Sequence, residues 1–134
     1  MNHQLFYKEL GRLLYAIAAA DGRVADKEVA TLKQVVKEKL VPLEGSTDHF
    51  GSDQGYIAEF EFDVLADRDA EADGCFDSFI AYISQHLREV TPQLKDLVLD
   101  MADAVADSFH GTNKHELAYL IELRKELAKS GATA

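Results

Sequence analysis

The chain has 134 residues, 47% of them hydrophobic and 28% charged, with two prolines and one cysteine. At this length about two-thirds of the unfolded chain's surface can be buried, so a hydrophobic core suffices without disulfides. The 24 acidic and 14 basic residues give a formal net charge of −10, which disfavours nucleic acid and anionic lipid head groups and suits basic partners and divalent cations.

One domain over residues 1–134 is expected from this length. Cys75 has no second cysteine to pair with, which fits a reducing, cytoplasmic setting. The sequence has no run of 18 or more apolar residues, so no membrane-inserted helix is expected.

The first helix is predicted from His3 to Ala20, with Leu5, Phe6, Leu10, Leu13, Leu14 and Ile17 at three-and-four spacing. Its end, "LLYAIAAA", superficially resembles the apolar core of a secretion signal. Glu9 in the would-be positive region and the helical spacing before the run oppose that reading, so the segment is expected to remain as structure. Gly22 is expected to stop this helix in a left-handed conformation. A second helix is expected from Asp26, as N-cap, with Val29, Leu32, Val36 and Leu40 facing inward, ending before Pro42.

Pro42 to Gly55, rich in glycine, serine and aspartate, reads as a flexible loop. A short helix is expected from Tyr56 to Leu65, although "EFEF" alternates as a strand would. Another helix carries Phe76, Phe79, Ile80, Ile83 and Leu87. Thr91-Pro92 is a helix start, with Thr91 as N-cap and Pro92 as first helical residue. The apolar face that follows runs from Leu94 through Val105 toward Phe109. Asn113 and Glu116 have the spacing of a capping box for a last helix bearing Leu117, Leu120, Ile121 and Leu127, and the tail "SGATA" is expected to fray.

The fold expected is all-α, with about six or seven helices. An internal echo adds to this. "AAADGRVADKEVATL" and "DSFHGTNKHELAYL" share a helix end, a glycine, a polar turn, then Glu28 or Glu116 with a leucine four residues on. Two antiparallel helical hairpins related by a pseudo-twofold would give that pattern.

The turn "AAADGRVADKE", the Phe-rich "EFEFDVLAD" and the second glycine-containing hairpin near the C-terminus resemble the TerB-like tellurite-resistance family. The resemblance covers most of the chain, with its specific part from Asp21-Gly22 to Glu28. It implies an all-helical, roughly seven-helix domain with pseudo-twofold hairpins and acidic metal ligands in the two turns. It further implies a role in tellurite and other stress responses, beside membrane-associated partners and without an assigned enzymatic activity. By residue, it implies Asp21, Asp26, Glu28 and Glu116 as metal ligands. The chain departs from the pattern at His110, where an acidic residue would precede the glycine.

Asp21 poses a physical question of its own. A carboxylate at a helix C-terminus meets the negative end of the dipole and is disfavoured by about 0.3–1 kcal/mol. The N-terminus of the next helix would compensate it; so would a hard divalent cation (calcium, magnesium or manganese) held with Glu28, Asp26 and turn carbonyls. Asp26 taken alone is better explained as an expected N-cap.

Other candidates compete. His110, His115 and Glu116 form an acid–base cluster from which a metal-dependent hydrolase could be drawn, although it lacks a closed four-ligand zinc pattern. Asp69 to Ile80 imitates a calcium loop, with Asp69, Glu71 and Asp73 at its first, third and fifth positions and Gly74 at its sixth, but Ile80 replaces the bidentate glutamate. Asp96, Asp100, Asp103 and Asp107 form a stripe with no lysine on it, either a solvated face or a docking face for a basic protein partner. Cys75, beside Phe76, is expected to be structural. The expected protein is a non-enzymatic, acidic helical domain acting through protein contacts, with its helix turns as a candidate divalent-cation site.

Overall fold

The computed structural model describes residues 3–20, 49–108 and 114–132, together with Ala30 and Gln34. Among these residues there are five α-helices and one short 3-10 turn, and no strand. Helix α1 is His3–Ala18, α2 is His49–Asp67 and α3 is Ala72–Gln85. The 3-10 turn Leu87–Glu89 follows, then α4, Pro92–Ser108, and α5, Lys114–Ala132. The all-α expectation holds, and "EFEF" is helical.

Helix α1 is the hub. It packs against all four other helices, most extensively against α2 and α3, while α5 packs on α3, α4 and the 3-10 turn. The sequence explains this position. From Leu13 to Ala19 every residue is apolar, and every one is buried. A helix apolar on all sides has to be surrounded. The stripe assigned from spacing was therefore too narrow: Tyr7 and Tyr15 are buried as well, whereas Leu5 is 41% exposed.

Two close approaches fix how α2 and the following turn meet α1. At Gly11 an added Cβ would lie 2.5 Å from the carbonyl oxygen of Ala58. The missing side chain lets the two helix backbones touch. The Tyr15 hydroxyl donates to the Ala70 carbonyl at 2.6 Å, and its ring meets Phe62 edge-on at 5.7 Å.

The α2–α3 turn closes on a left-handed residue. Asp69 has φ 54°. Ala70 N–H donates to Leu65 C=O at 3.0 Å and Asp69 N–H to Ala66 C=O at 3.2 Å, the paired bonds of a Schellman stop. Glycine usually fills the left-handed position; aspartate is among the few other residues that tolerate it. At the start of α4, Leu94 N–H donates to Thr91 Oγ1 at 3.1 Å, so Thr91 caps the helix as expected.

Three expected boundaries are corrected. The loop expected over residues 42–55 is helical from His49 onward, so α2 begins seven residues before Tyr56; residues 42–48 lie outside the described residues. Gly51 and Gly55 weaken a helix by about 1 kcal/mol each relative to alanine, a cost that cooperative extension from a packed helical segment can meet. The helix through Ile83 stops at Gln85, leaving Leu87 in the 3-10 turn. At the C-terminal end, α5 continues through Ser130 and Gly131 to Ala132 instead of fraying at "SGATA". Of the second helix expected from Asp26, only Ala30 and Gln34 are described, and both are helical.

Candidate functional site

The residues singled out for metal binding fall mostly outside the described set. Asp21, Asp26, Glu28 and His110 lie there, as does the turn glycine Gly111. Glu116 and His115 belong to the first turn of α5, and their side chains are not among those described. The flanking residues, however, are placed. Ala20, just before Asp21, and Ala118, two residues after Glu116, line one groove of about 370 Å³ together with Glu71, Ala72, Asp73 and Tyr119.

That groove is acidic and has an aromatic wall. The Tyr119 hydroxyl donates to Asp73 Oδ1 in a short hydrogen bond, and its ring stacks on Phe76 with centroids 4.5 Å apart and planes 20° from parallel. Burial raises the Tyr119 pKa well above its ordinary value, and the bond to Asp73 raises it further because ionisation would set two anions together. Asp73 is thereby engaged in a protein contact. The segment Asp69 to Ile80, which imitates a calcium loop in sequence, is helix from Ala72 onward. The reason is packing: Phe76, Phe79 and Ile83 are buried on one face at helical spacing, and a helix cannot wrap its own side chains around a cation as a loop does.

The aspartate stripe on α4 also gains a partner that local reading could not supply. Arg124 of α5 donates from Nη2 to Asp103 at 2.9 Å (Oδ2) and 3.2 Å (Oδ1). Asp96 and Asp100 remain exposed.

A second polar site, missed in the sequence, lies between α1, α2 and α3. Arg12 Nε donates to Glu61 Oε2 at 2.9 Å, and its Nη1 donates to Glu9 Oε2 at 2.8 Å and to Ser78 Oγ at 3.0 Å. Ser78 in turn donates to Glu9 Oε1 at 2.8 Å. Glu9 and Glu61 are only 6% and 9% exposed, so this network lies at the edge of the core. Burial opposes the Arg12 charge, but the bond to Glu61 and the charges of Glu9 and Glu61 prevail and raise its pKa. Cys75 lies beside them, buried and outside any disulfide. Burial raises its thiol pKa, against the opposing pull of Arg12 and Arg68, so it is protonated at neutral pH, which fits the structural role expected for it. The available signal was a charged pair, Glu9 and Arg12, three residues apart on a helix whose neighbours are almost all apolar. Glu61, the third member, is distant in sequence and carries no local mark.

Among the described residues, no group of three or more histidine, cysteine, aspartate or glutamate side chains is arranged to hold a metal ion. Nor, among them, is any helix long and apolar enough to cross a membrane. Among the described residues these features define an all-helical structure built around a buried central helix, with an acidic groove and a mixed-charge cavity. Comparison of the chain with protein-family models, with curated proteins and with solved structures gives no significant match.

Proposed function

We propose that this protein is a non-enzymatic, TerB-like acidic helical module that works through protein contacts and binds a divalent cation at its helix turns. In this reading residues 21–48 complete a bundle of about six or seven helices, and the two glycine turns belong to hairpins related by a pseudo-twofold. Asp21, Asp26 and Glu28 supply carboxylate oxygens from the first turn and Glu116 from the second. Calcium, magnesium or manganese is the cation, since hard cations take several oxygen ligands.

The observation that carries this reading is the shared groove. Ala20 and Ala118 adjoin the two turns in sequence and line one hollow with Glu71 and Asp73. An acidic hollow concentrates cations. The ion pair between Asp103 and Arg124, on helices joined by residues 109–113, supports a hairpin at the second turn. The partner is a protein with a basic face, membrane-associated in stress-response assemblies, and the exposed Asp96 and Asp100 suit it.

The groove's concavity also favours a second reading, a metal-dependent hydrolase using His110, His115 and Glu116. Calorimetric titration with calcium, magnesium, manganese and zinc, on the wild type and on Asp21→Asn, separates the readings. Binding of calcium, magnesium or manganese that Asp21→Asn abolishes supports the cation module. Zinc binding that survives Asp21→Asn and is lost in His115→Ala supports the hydrolase. Silence from all four metals removes the cation from the account.

A further inference from the structure

Seven basic side chains lie among the residues whose side chains are described, and three of them, Lys8, Arg12 and Arg68, line a single cavity of about 380 Å³. Ser78 and Cys75 contribute the α3 side of that cavity, and Glu61 is its one acidic residue. In a chain of net charge −10 such a concentration is unexpected, and its internal bonding shows which charges are already spent. Glu9 and Glu61 bind two of the three Arg12 nitrogens, leaving Nη2 outside those bonds. Lys8 and Arg68 are exposed, and neither enters an ion pair among the described residues.

Two glutamates against three cations leave the cavity with a net positive charge. Like charges held around one hollow repel one another, and an anion between them relieves that repulsion. The arginine fork offers paired donors and the lysine a point charge, the combination that grips carboxylate and phosphate oxygens. The hollow also stays open on its α3 side: a Cβ added at Gly74 would meet nothing within 4 Å. Its volume falls at the lower end of the small-molecule range, about 300–1,000 Å³.

We propose that this cavity binds a small organic anion through a carboxylate or phosphate group, held by Lys8 and Arg68 and met from within by Nη2 of Arg12. The site is independent of the cation groove and calls for no chemistry on the ligand. Selection is by charge and size.

Nuclear magnetic resonance titration of the full chain at constant ionic strength tests this, with inorganic phosphate and malonate as probes of the two oxyanion types. Saturable shifts should appear at the Gly74 and Ser78 amides and at Arg12 and Arg68 Nε–H, with dissociation constants on the order of millimolar for such minimal ligands. Lys8→Gln and Arg68→Gln, both at exposed positions, should each weaken binding roughly three- to tenfold, as loss of one charge-assisted contact does. Lys125→Gln on α5, outside the cavity, should leave it unchanged. Saturation by phosphate alone assigns a phosphate ester, and by malonate alone a carboxylate. The proposal is overturned if neither probe saturates, or if Lys8→Gln and Arg68→Gln bind as tightly as the wild type.

Discussion

Gly11 stands directly against Ala58: a side chain on Gly11 would begin 2.5 Å from the Ala58 carbonyl oxygen and 3.0 Å from Glu61 Cβ. The first contact is with helix backbone, which cannot rotate away. Gly11→Ala gains about 1 kcal/mol of helix propensity, but overpacking typically costs about 1–3 kcal/mol, and more where backbone is the obstacle. The expected result is a net loss of about 1–2 kcal/mol, read as a lower urea midpoint. Gly74→Ala is the matched contrast, with open space around its new Cβ, and should gain about 0.4–1 kcal/mol. Equal effects at both sites would show that the α1–α2 approach is not tight.

Arg12 is the counter-ion for two nearly buried carboxylates. Removing one partner of a buried pair costs about 3–5 kcal/mol. Because the Arg12 side chain is 28% exposed, water screens part of that, and Arg12→Met should cost about 2–3 kcal/mol. Adding Glu61→Gln should recover part of the loss, since one of the two stranded charges disappears. Chemical unfolding of both variants measures this, and a double variant less stable than the single one would contradict it.

Alkaline stability follows from buried acids. Tyr15, Tyr82, Tyr119 and Cys75 all have their pKa raised, first by burial. A raised acid keeps its proton in the folded chain after the unfolded chain has lost it. Stability is therefore undiminished below the ordinary values, 9.0 for the thiol and 10.0 for the phenols, and falls as pH rises above them. Tyr119 has the largest shift, so Tyr119→Phe should flatten the decline above pH 10.0. Unfolding free energies between neutral pH and the alkaline limit would show it; an unchanged slope in Tyr119→Phe would locate the alkaline sensitivity elsewhere.

Asp69 holds a left-handed backbone at the C-terminal end of α2, with φ 54°. That conformation costs a non-glycine residue roughly 1–2 kcal/mol, and a carboxylate there also opposes the helix dipole. Asp69→Gly removes both penalties but adds freedom to the unfolded chain, for a net gain of about 0.5–1 kcal/mol. A thermal midpoint at or below that of the wild type would mean that the aspartate side chain contributes to the turn.

The legibility of this protein varied with the range of the interaction. The Thr91 cap is a bond between residues three apart, and its Thr-Pro signal was readable at once. The apolar spacing of the first segment marked a helix with one inward stripe, whereas the structure surrounds its Leu13 to Ala19 portion. Glycine-rich composition was misleading around Gly51 and Gly55 because local propensity is a weak prior against cooperative helix extension. The Arg12–Glu61 bond, the Tyr119–Asp73 bond and the Asp103–Arg124 pair all join different helices. None of them has a local sequence mark.

The sequence by itself determined the helical class, the cap of α4 and the surplus of negative charge. These depend on periodicity, backbone hydrogen bonding within a few residues, and composition. Only the tertiary structure decided which charges neutralise one another, that Gly11 admits Ala58, and that Lys8, Arg12 and Arg68 surround one hollow. The physical reason is that a helix fixes which side chains share a face, whereas the neighbour met by that face is set by packing several helices at once.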